Sequence, residues 1–273
     1  MSMSMSTDGT GNVTVTWLGH STAVVDLPAP GGRVRLLTDP LLQRHAGLLR
    51  RRGARPLAEA WRDTDAVLLS HLHHDHAELG SLRLLGDVPV LTAPANARWL
   101  RAKGLRGVGL GAGHDGHDGH DGWYSVRGAE VRLTPAVHGD RRMPHRPNAA
   151  NGHLVRSGGV TVWAVGDTER FPGLSRVREL ADGRIDVALV PVHGWGPRMS
   201  GGHLGPVQAA RLCAETGVRL AVPVHWGTLH VPGGRHLPRG WMDQAGAAFA
   251  AAAHREAPGT RVVVLRPGES WQG

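Results

Sequence analysis

Seven consecutive residues, Ser70 to His76, read SHLHHDH and contain four histidines and one aspartate. Imidazole nitrogens and carboxylate oxygens are ligands that proteins use for divalent metal ions. The heptad directly follows the apolar run AVLL at residues 66–69, which is typical of a buried strand. The pattern therefore predicts a metal site where that strand ends, provided that distant segments supply the remaining ligands.

Three other apolar runs end in a residue of the same kind. His138 follows TPAV, Asp167 follows WAVG and His225 follows VPV. Strand ends are held rigidly by their sheet, so side chains placed there by several strands can converge on one point. A purely structural role, in which these side chains are only hydrogen-bonded at strand ends, would have to account for all four segments at once. We therefore expect a common site.

The spacing inside the heptad is compatible with two metal ions. A tight loop can direct His71 and His73 at one ion and Asp75 and His76 at another, while His74 points away. Two cations roughly 3.5 to 4 Å apart share a water and lower its pKa towards about 7. A metal-bridging hydroxide could then attack a carbonyl or phosphoryl centre without any serine or cysteine nucleophile.

Histidine and carboxylate ligands suit zinc and also accept Mn²⁺ or Fe²⁺. The chain has one cysteine, Cys213, so it offers neither a thiolate zinc site nor a disulfide framework. The expected cofactors are two Zn²⁺ ions, with Mn²⁺ or Fe²⁺ as alternatives.

The elements that must position these residues follow a repeated order. Alternating runs at 13–19, 22–27 and 33–40 predict an antiparallel meander, and strand–helix units follow it. The same order returns from residue 129 onward. This layout predicts an α/β (α+β) chain in which two mixed sheets pack face to face with helices outside. We expect a flexible tail over residues 1–12 and a single domain over residues 13–273.

Composition limits the partners. The 273 residues are 41% hydrophobic and carry a formal charge of +8, concentrated in the segment from Arg44 to Arg62. That segment does not interleave its arginines with aromatic residues, so we expect no nucleic-acid partner. It is either a solvated loop or an anion-recruiting rim beside the active site. No signal peptide and no apolar run of membrane-spanning length is evident, which favours a cytoplasmic protein without stable membrane insertion.

The tripeptide repeat GHDGHDGHDG at residues 113–122 has two interpretations. Its histidines and aspartates could bind metal weakly. Glycine at every third position gives no preorganised geometry, so a flexible loop with incidental histidines is the favoured interpretation.

The motif HLHHDH matches the H-x-H-x-D-H motif of the metallo-β-lactamase superfamily, and the later histidine and aspartate segments follow in that family's order. The resemblance covers nearly the whole chain and implies a four-layer αββα sandwich. TWLGHST, LTDP, GDT, MSGGHLGPVQA and PVHWGT are most similar to the branch that contains N-acylphosphatidylethanolamine-hydrolysing phospholipase D and L-ascorbate-6-phosphate lactonase.

The resemblance also implies a ligand set for the two metals. One metal would be held by His71, His73 and His138. The other would be held by Asp75, His76 and His225, with Asp167 bridging both.

Further residues take candidate roles in the reaction. Asp75 would also accept a proton as the leaving group departs, and His203 would contact the substrate or the developing anion unless it only caps a nearby helix. His20 and Asp39 would orient ligand imidazoles, although a purely structural role in buried turns is an equal alternative.

Two segments could touch the substrate. His193 and Trp195 lie in HGWG, where the related branch is expected to have a small residue in place of the histidine. Surface or packing use is the alternative there. The loop RRMPHR contributes Arg141, Arg142 and Arg146, which would favour an anionic substrate unless they are only solvated.

The sequence thus predicts a dinuclear metal-dependent hydrolase that cleaves an ester-type bond, phosphodiester or lactone, in a small-molecule or lipid-like anion. The alternatives are an iron-dependent oxygenase on the same fold, a β-lactamase-like amide hydrolase and, least favoured, a non-catalytic scaffold. The oligomeric state stays open.

Overall fold

A computed structural model describes residues 13–111, 122–139, 146–147 and 149–273 of the chain. The proposed tail at 1–12, nearly all of the glycine-spaced repeat, and Arg141 and Arg142 lie outside the described residues. The strands of the described part, β1 to β17 in chain order, are Thr14–Gly19, Thr22–Ala29, Gly32–Thr38, His45–Ala46, Leu49–Arg51, Ala66–Leu68, Val90–Thr92, Gly107–Gly109, Tyr124–Val126, Ala129–Pro135, Asn151–Ser157, Val160–Ala164, Ile185–Pro191, Val218–Val224, Leu229–His230, Arg261–Val262 and Ser270–Gln272.

The α-helices of the same part, α1 to α6, are Ala58–Trp61, Leu79–Leu84, Pro94–Ala102, Val177–Leu180, Pro206–Thr216 and Ala245–Glu256. Short 3₁₀ turns occur at Leu174–Arg176, Gly234–His236 and Trp241–Asp243. None of the helices in the described ranges is both long enough and apolar enough to cross a membrane.

Two seven-stranded sheets carry the fold. The first has the order β17-β1-β2-β3-β6-β7-β8 and the second has the order β16-β14-β13-β12-β11-β10-β9. In both, an antiparallel half (β1 to β3, β9 to β12) continues into a parallel half (β3, β6, β7 and β8; β12, β13, β14 and β16). The predicted change from meander to strand–helix units is confirmed in both halves of the chain.

The core explains why the sheets stack. Alternating apolar residues of both sheets, such as Trp17, Leu36, Val131 and Val162, are almost fully buried in one shared cluster. Helices α5 and α6 bury their apolar faces on the outer side of the second sheet, and α2 and α3 flank the outer side of the first. These are the four αββα layers that the sequence predicted.

Two stretches differ from the expectation. The arginine-rich segment is not a plain loop, because β4, β5 and α1 lie within it and Arg51 is only 8% exposed. Its guanidinium donates to the carbonyls of Leu18 and Leu41, so this one arginine is a buried brace rather than a solvated charge. The apolar run RVVVLRP at residues 261–267 is typical of a strand, but it pairs with the second sheet only over β16, and β17 lies at the edge of the first sheet.

Candidate metal centre

The heptad begins two residues after the end of β6 and is fixed by a buried carboxylate. Asp39, one residue past β3, accepts hydrogen bonds from the Ser70 backbone N–H and from Ser70 Oγ, both at 2.7 Å. The amides of His76 and Ala77 donate to the His73 carbonyl and close a tight turn. The loop therefore leaves the sheet in one fixed direction, which gives the histidines their geometry.

The first cluster consists of three imidazoles. His73 Nδ1 lies 2.9 Å from His71 Nε2 and 3.0 Å from His138 Nε2. His138 Nδ1 donates to the Gly202 carbonyl at 2.7 Å, which directs the lone pair of its Nε2 at the other two rings. The His74 ring lies beside Gly47 and is in neither cluster, in agreement with its predicted outward direction.

Burial keeps this trio neutral. Desolvation lowers the pKa of His71 well below its usual value, lowers that of His73 to about 4, and lowers that of His138. Neutral imidazole is the form that binds a metal. Three ring nitrogens so close together cannot all donate to one another, and a cation among them would satisfy their lone pairs.

The second cluster joins carboxylates to imidazoles. Asp75 Oδ2 lies 3.6 Å from His76 Nε2 and 3.7 Å from His225 Nε2, and the two ring nitrogens are 3.2 Å apart. His20, expected to be an orienting residue, lies closer to Asp75 than His76 or His225 does. The distance from His20 Nε2 to Asp75 Oδ2 is 3.0 Å. Burial and the neighbouring His225 lower the pKa of His20 to about 3. His20 thus lies within the second cluster.

Asp167 lies between the two clusters. Its Oδ2 is 3.1 Å from His76 Nε2 and 3.0 Å from His225 Nε2 on one side. On the other side the same oxygen is 3.4 Å from His203 Nε2 and 3.9 Å from His138 Nε2. Asp167 Oδ1 is buried and accepts no hydrogen bond from any described residue. An ionised oxygen without a partner in the interior is costly, and a cation is the partner that fits it.

Charge is balanced within this group. Burial by itself would raise the pKa of both Asp75 and Asp167, but the surrounding histidines outweigh it and hold both values well below the usual range. Burial likewise opposes charge on His76 and His225, but the two carboxylates raise the pKa of His76 and raise that of His225 to about 9. Cation binding at this cluster must therefore displace protons from imidazoles.

The backbone around the site is unusual. His20, Asp39 and His225 have positive φ angles of 54°, 33° and 61°. Such conformations are disfavoured for residues with a Cβ and persist where the surroundings impose them. The His20 amide donates to Thr228 Oγ1 at 2.7 Å, and the His20 carbonyl accepts from Trp17 Nε1 at 2.8 Å. The strained turn therefore holds His20 in place from both sides.

Asp39 also contacts a predicted ligand imidazole. Its Oδ2 accepts from His76 Nδ1 at 2.8 Å, so that His76 Nε2 faces Asp75 and Asp167. Sequence reasoning missed Ser70, which lies between Asp39 and the ring of His71. A serine at the start of a histidine motif carries no signal for this role until the fold brings Asp39 next to it.

The remaining candidates lie at the margin. His203 points Nε2 at Asp167 while its Nδ1 lies 3.1 Å from Ser200 Oγ. His193 is half-buried two residues past β13, and Trp195 is 41% exposed. Arg146, expected to face a substrate, instead donates to the carbonyls of Leu72 and Ala77 and braces the heptad loop.

Comparison with known proteins adds the family. A family model described as a beta-lactamase superfamily domain matches residues 34–226. The chain is 30% identical over 219 residues to a UPF0173 metal-dependent hydrolase of Methanosphaerula palustris, covering 78% of this chain and 84% of that protein. It is 27% identical to a UPF0173 metal-dependent hydrolase of Pyrococcus furiosus, covering 95% of this chain and 99% of the relative. Igni18, a metallo hydrolase from Ignicoccus hospitalis, superposes with a TM-score of 0.70 at 22% identity over 96% of this chain and 98% of its own.

Proposed function

Because the chain belongs to the metallo-β-lactamase superfamily and is a metal-dependent hydrolase, we propose that it is a dinuclear enzyme cleaving a phosphodiester or lactone in a small anionic substrate. The observation that supports two ions most strongly is the position of Asp167. Its carboxylate approaches both histidine clusters and keeps one buried oxygen without a described partner. A site for one ion would need only one of the two clusters.

The proposed division of labour follows the distances. His71, His73 and His138 would hold one cation through three neutral nitrogens. Asp75, His76 and His225 would hold the other, and Asp167 would join them. Two bound divalent cations supply the acidity that makes water a nucleophile near neutral pH and polarise the bond to be broken. We favour Zn²⁺ and keep Mn²⁺ and Fe²⁺ as alternatives.

The chain's own residues would then handle the proton and the substrate. Asp75 is ionised and can accept a proton from the attacking water and pass it to the leaving group. His20 Nε2, at 3.0 Å from Asp75 Oδ2, fixes the orientation of that carboxylate. His203 Nε2 lies at the edge of both clusters, where it can donate to an oxyanion. His193 and Trp195 would border the substrate beside it.

The test combines metal content with a substrate panel. Protein reconstituted with zinc should contain two ions per chain and should hydrolyse bis(p-nitrophenyl) phosphate or a simple γ-lactone. One ion or fewer per chain would contradict the dinuclear centre. Turnover of a β-lactam alone, or oxygen uptake by the iron-loaded protein without hydrolysis, would contradict the proposed reaction and identify one of the alternatives.

A further inference from the structure

A wide groove, separate from the metal centre, is lined by four segments of the chain. These are residues 17–18, 52–60, 226–243 and 264–269, and we call the space between them the arginine groove. It has a main compartment of about 1260 Å³ and an adjoining one of about 490 Å³. Its volume is sufficient for a ligand of ordinary metabolite size.

One layer of chain separates the groove from the predicted metal ligands. Trp226, which lines the groove, directly follows His225, and Thr228 on the same wall binds the His20 amide. The Arg52 amide donates to the Thr228 carbonyl at 2.7 Å and ties the opposite wall to this one. The two sites therefore share a wall but have different linings.

The charge of the lining is strongly positive. The lining contains five arginines and only two carboxylates, those of Asp243 and Glu269. Arg52 pairs with Asp243 at 2.6 Å. Arg235, Arg239 and Arg266 are exposed, and none of them forms an ion pair with a carboxylate in the described ranges of the chain. Unpaired guanidinium groups in a concave surface favour carboxylate or phosphate ligands.

The rest of the lining is apolar. Leu57 and Val264 are 74% and 41% exposed, and the buried residues Leu18, Met242 and Leu265 line the same groove. Large apolar side chains left exposed in a concave site commonly mark a binding surface. The cationic and apolar parts are adjacent, so the groove is amphipathic.

An aromatic platform for a nucleobase is absent from this lining. Trp226 stacks on Trp17 with ring centroids 5.3 Å apart. Gly246 packs so closely against the Trp226 ring that a Cβ added to this glycine would lie 2.5 Å from a ring carbon. Base-binding proteins need an open aromatic face. The ligand body that fits is therefore aliphatic rather than a stacked base.

From this lining we propose that the arginine groove binds an amphipathic anion, with a phosphate or carboxylate head among Arg52, Arg235 and Arg239 and an aliphatic body along Leu57 and Val264. Arg52 and Arg55 come from the basic segment that sequence reasoning left open between a solvated loop and an anion-recruiting rim. The inference does not depend on the reaction at the metal centre.

The test is calorimetric titration of the full-length, zinc-loaded protein with octyl phosphate. We expect binding at the groove in addition to any binding at the metal centre, and the groove affinity should be at least tenfold weaker for inorganic phosphate, which lacks the body. The same titration with octyltrimethylammonium should give no binding, because the charge is reversed. Octanoate should bind if a carboxylate head is accepted, which separates the two possible head groups.

Matched variants locate the site. Arg235→Gln combined with Arg239→Gln should weaken octyl phosphate binding at least tenfold, and Leu57→Gln should weaken octyl phosphate but not inorganic phosphate. Arg98→Gln is the control, since Arg98 is an exposed arginine on α3 near the opposite edge of the first sheet. Arg239→Gln alone provides a milder variant if the double variant melts at a lower temperature than the wild type.

Three outcomes would overturn the proposal. The first is unchanged octyl phosphate affinity in the arginine variants, and the second is equal affinity for inorganic phosphate and octyl phosphate. The third is a dimer in sedimentation that the arginine variants dissociate while octyl phosphate fails to bind. That result would assign the groove to a second copy of the chain.

Discussion

Asp167 illustrates how much a single side chain contributes at the residue scale. It is 2% exposed, it lies within 3.1 Å of two imidazole nitrogens, and its second oxygen has no partner among the described residues. Asp75 differs, since its Oδ2 lies 3.0 Å from His20 Nε2. The two carboxylates can therefore be separated by experiment into a joining role and a proton-transfer role.

Asp75→Asn should reduce turnover by about 10² to 10⁴, because the amide keeps the shape of the carboxyl group but cannot accept a proton. The metal held by the three-histidine cluster should be retained. Kinetics on an active substrate, together with elemental analysis of the same sample, measure both effects.

His71→Ala is the comparison for that variant, because it should deplete the metal held with His73 and His138. Near-wild-type turnover of Asp75→Asn with both metals bound would show that the proton goes elsewhere, and His203 or His193 would become the next candidate.

Asp39→Asn should weaken metal binding by about 10- to 100-fold, as expected when the outer partner of a ligand imidazole is changed. The amide can no longer accept equally well from Ser70 Oγ and His76 Nδ1. Competition with a chromogenic zinc chelator measures the change. Asp186→Asn is the matched control, since Asp186 is fully buried but binds Thr161 and Arg184 at the other end of the second sheet. Equal metal affinity in both variants would remove Asp39 from the site.

At the scale of elements, the strand ends decide the geometry. Asp39 follows β3, the heptad follows β6, Asp167 lies three residues past β12 and His225 follows β14. Parallel neighbours place their carboxyl ends at one edge, so β3 beside β6 and β12, β13 and β14 side by side bring these residues together. The Asn151 amide bonds the Ser70 carbonyl and joins the two sheets at this edge.

A substitution at Gly166 tests how tightly the backbone is packed at this edge. It has φ of 69°, and an added Cβ would lie 2.6 Å from the Asn151 carbonyl. Gly166→Ala should therefore destabilise the fold by about 3 kcal/mol or more, from strain and overpacking together. Chemical denaturation measures the free energy of unfolding.

Gly159→Ala is the control for strain alone, because Gly159 has φ of 78° with no atom within 4 Å of the added Cβ. It should cost only about 1 kcal/mol. A similar loss for the two variants would mean that the closeness of the Asn151 carbonyl to Gly166 adds nothing to the cost of the substitution.

At the scale of the whole molecule, the two sheets meet through one apolar core and through the metal centre at its edge. Metals that bind the folded chain and not the unfolded chain stabilise it by mass action. Ligands from both sheets contribute to this centre, as His71 belongs to the first and His138, Asp167 and His225 to the second. The proposed single domain over residues 13–273 is consistent with that sharing and stays a prediction.

Removal of the metals should lower the melting temperature. A free zinc concentration of 1,000 Kd contributes about 4.1 kcal/mol per site. For a chain of this size, that corresponds to a fall of roughly 10 °C per site on chelation. Scanning calorimetry with and without a chelator measures it, and His71→Ala should show a smaller fall. An unchanged melting temperature in both proteins would show that the clusters hold no tightly bound metal.

Much of the site could be predicted because its residues recur at recognisable positions in short stretches of sequence. The heptad, and the apolar runs before His138, Asp167 and His225, identify strand ends without knowledge of the fold. The close contact of His20 with Asp75 could not be found this way. It depends on a strained turn that Thr228, 208 positions away from His20, helps to hold.

The sequence by itself determined the ligand types, the change from antiparallel to parallel strands and the burial of both sheet faces, because periodicity and residue chemistry are local properties. Only the tertiary structure decided which atoms face one another. It paired β17 with β1, turned Arg51 and Arg146 into braces for backbone carbonyls, and collected arginines from three segments into one groove. Such contacts join residues tens to hundreds of positions apart, and their free energy depends on burial and geometry that exist only after the chain has folded.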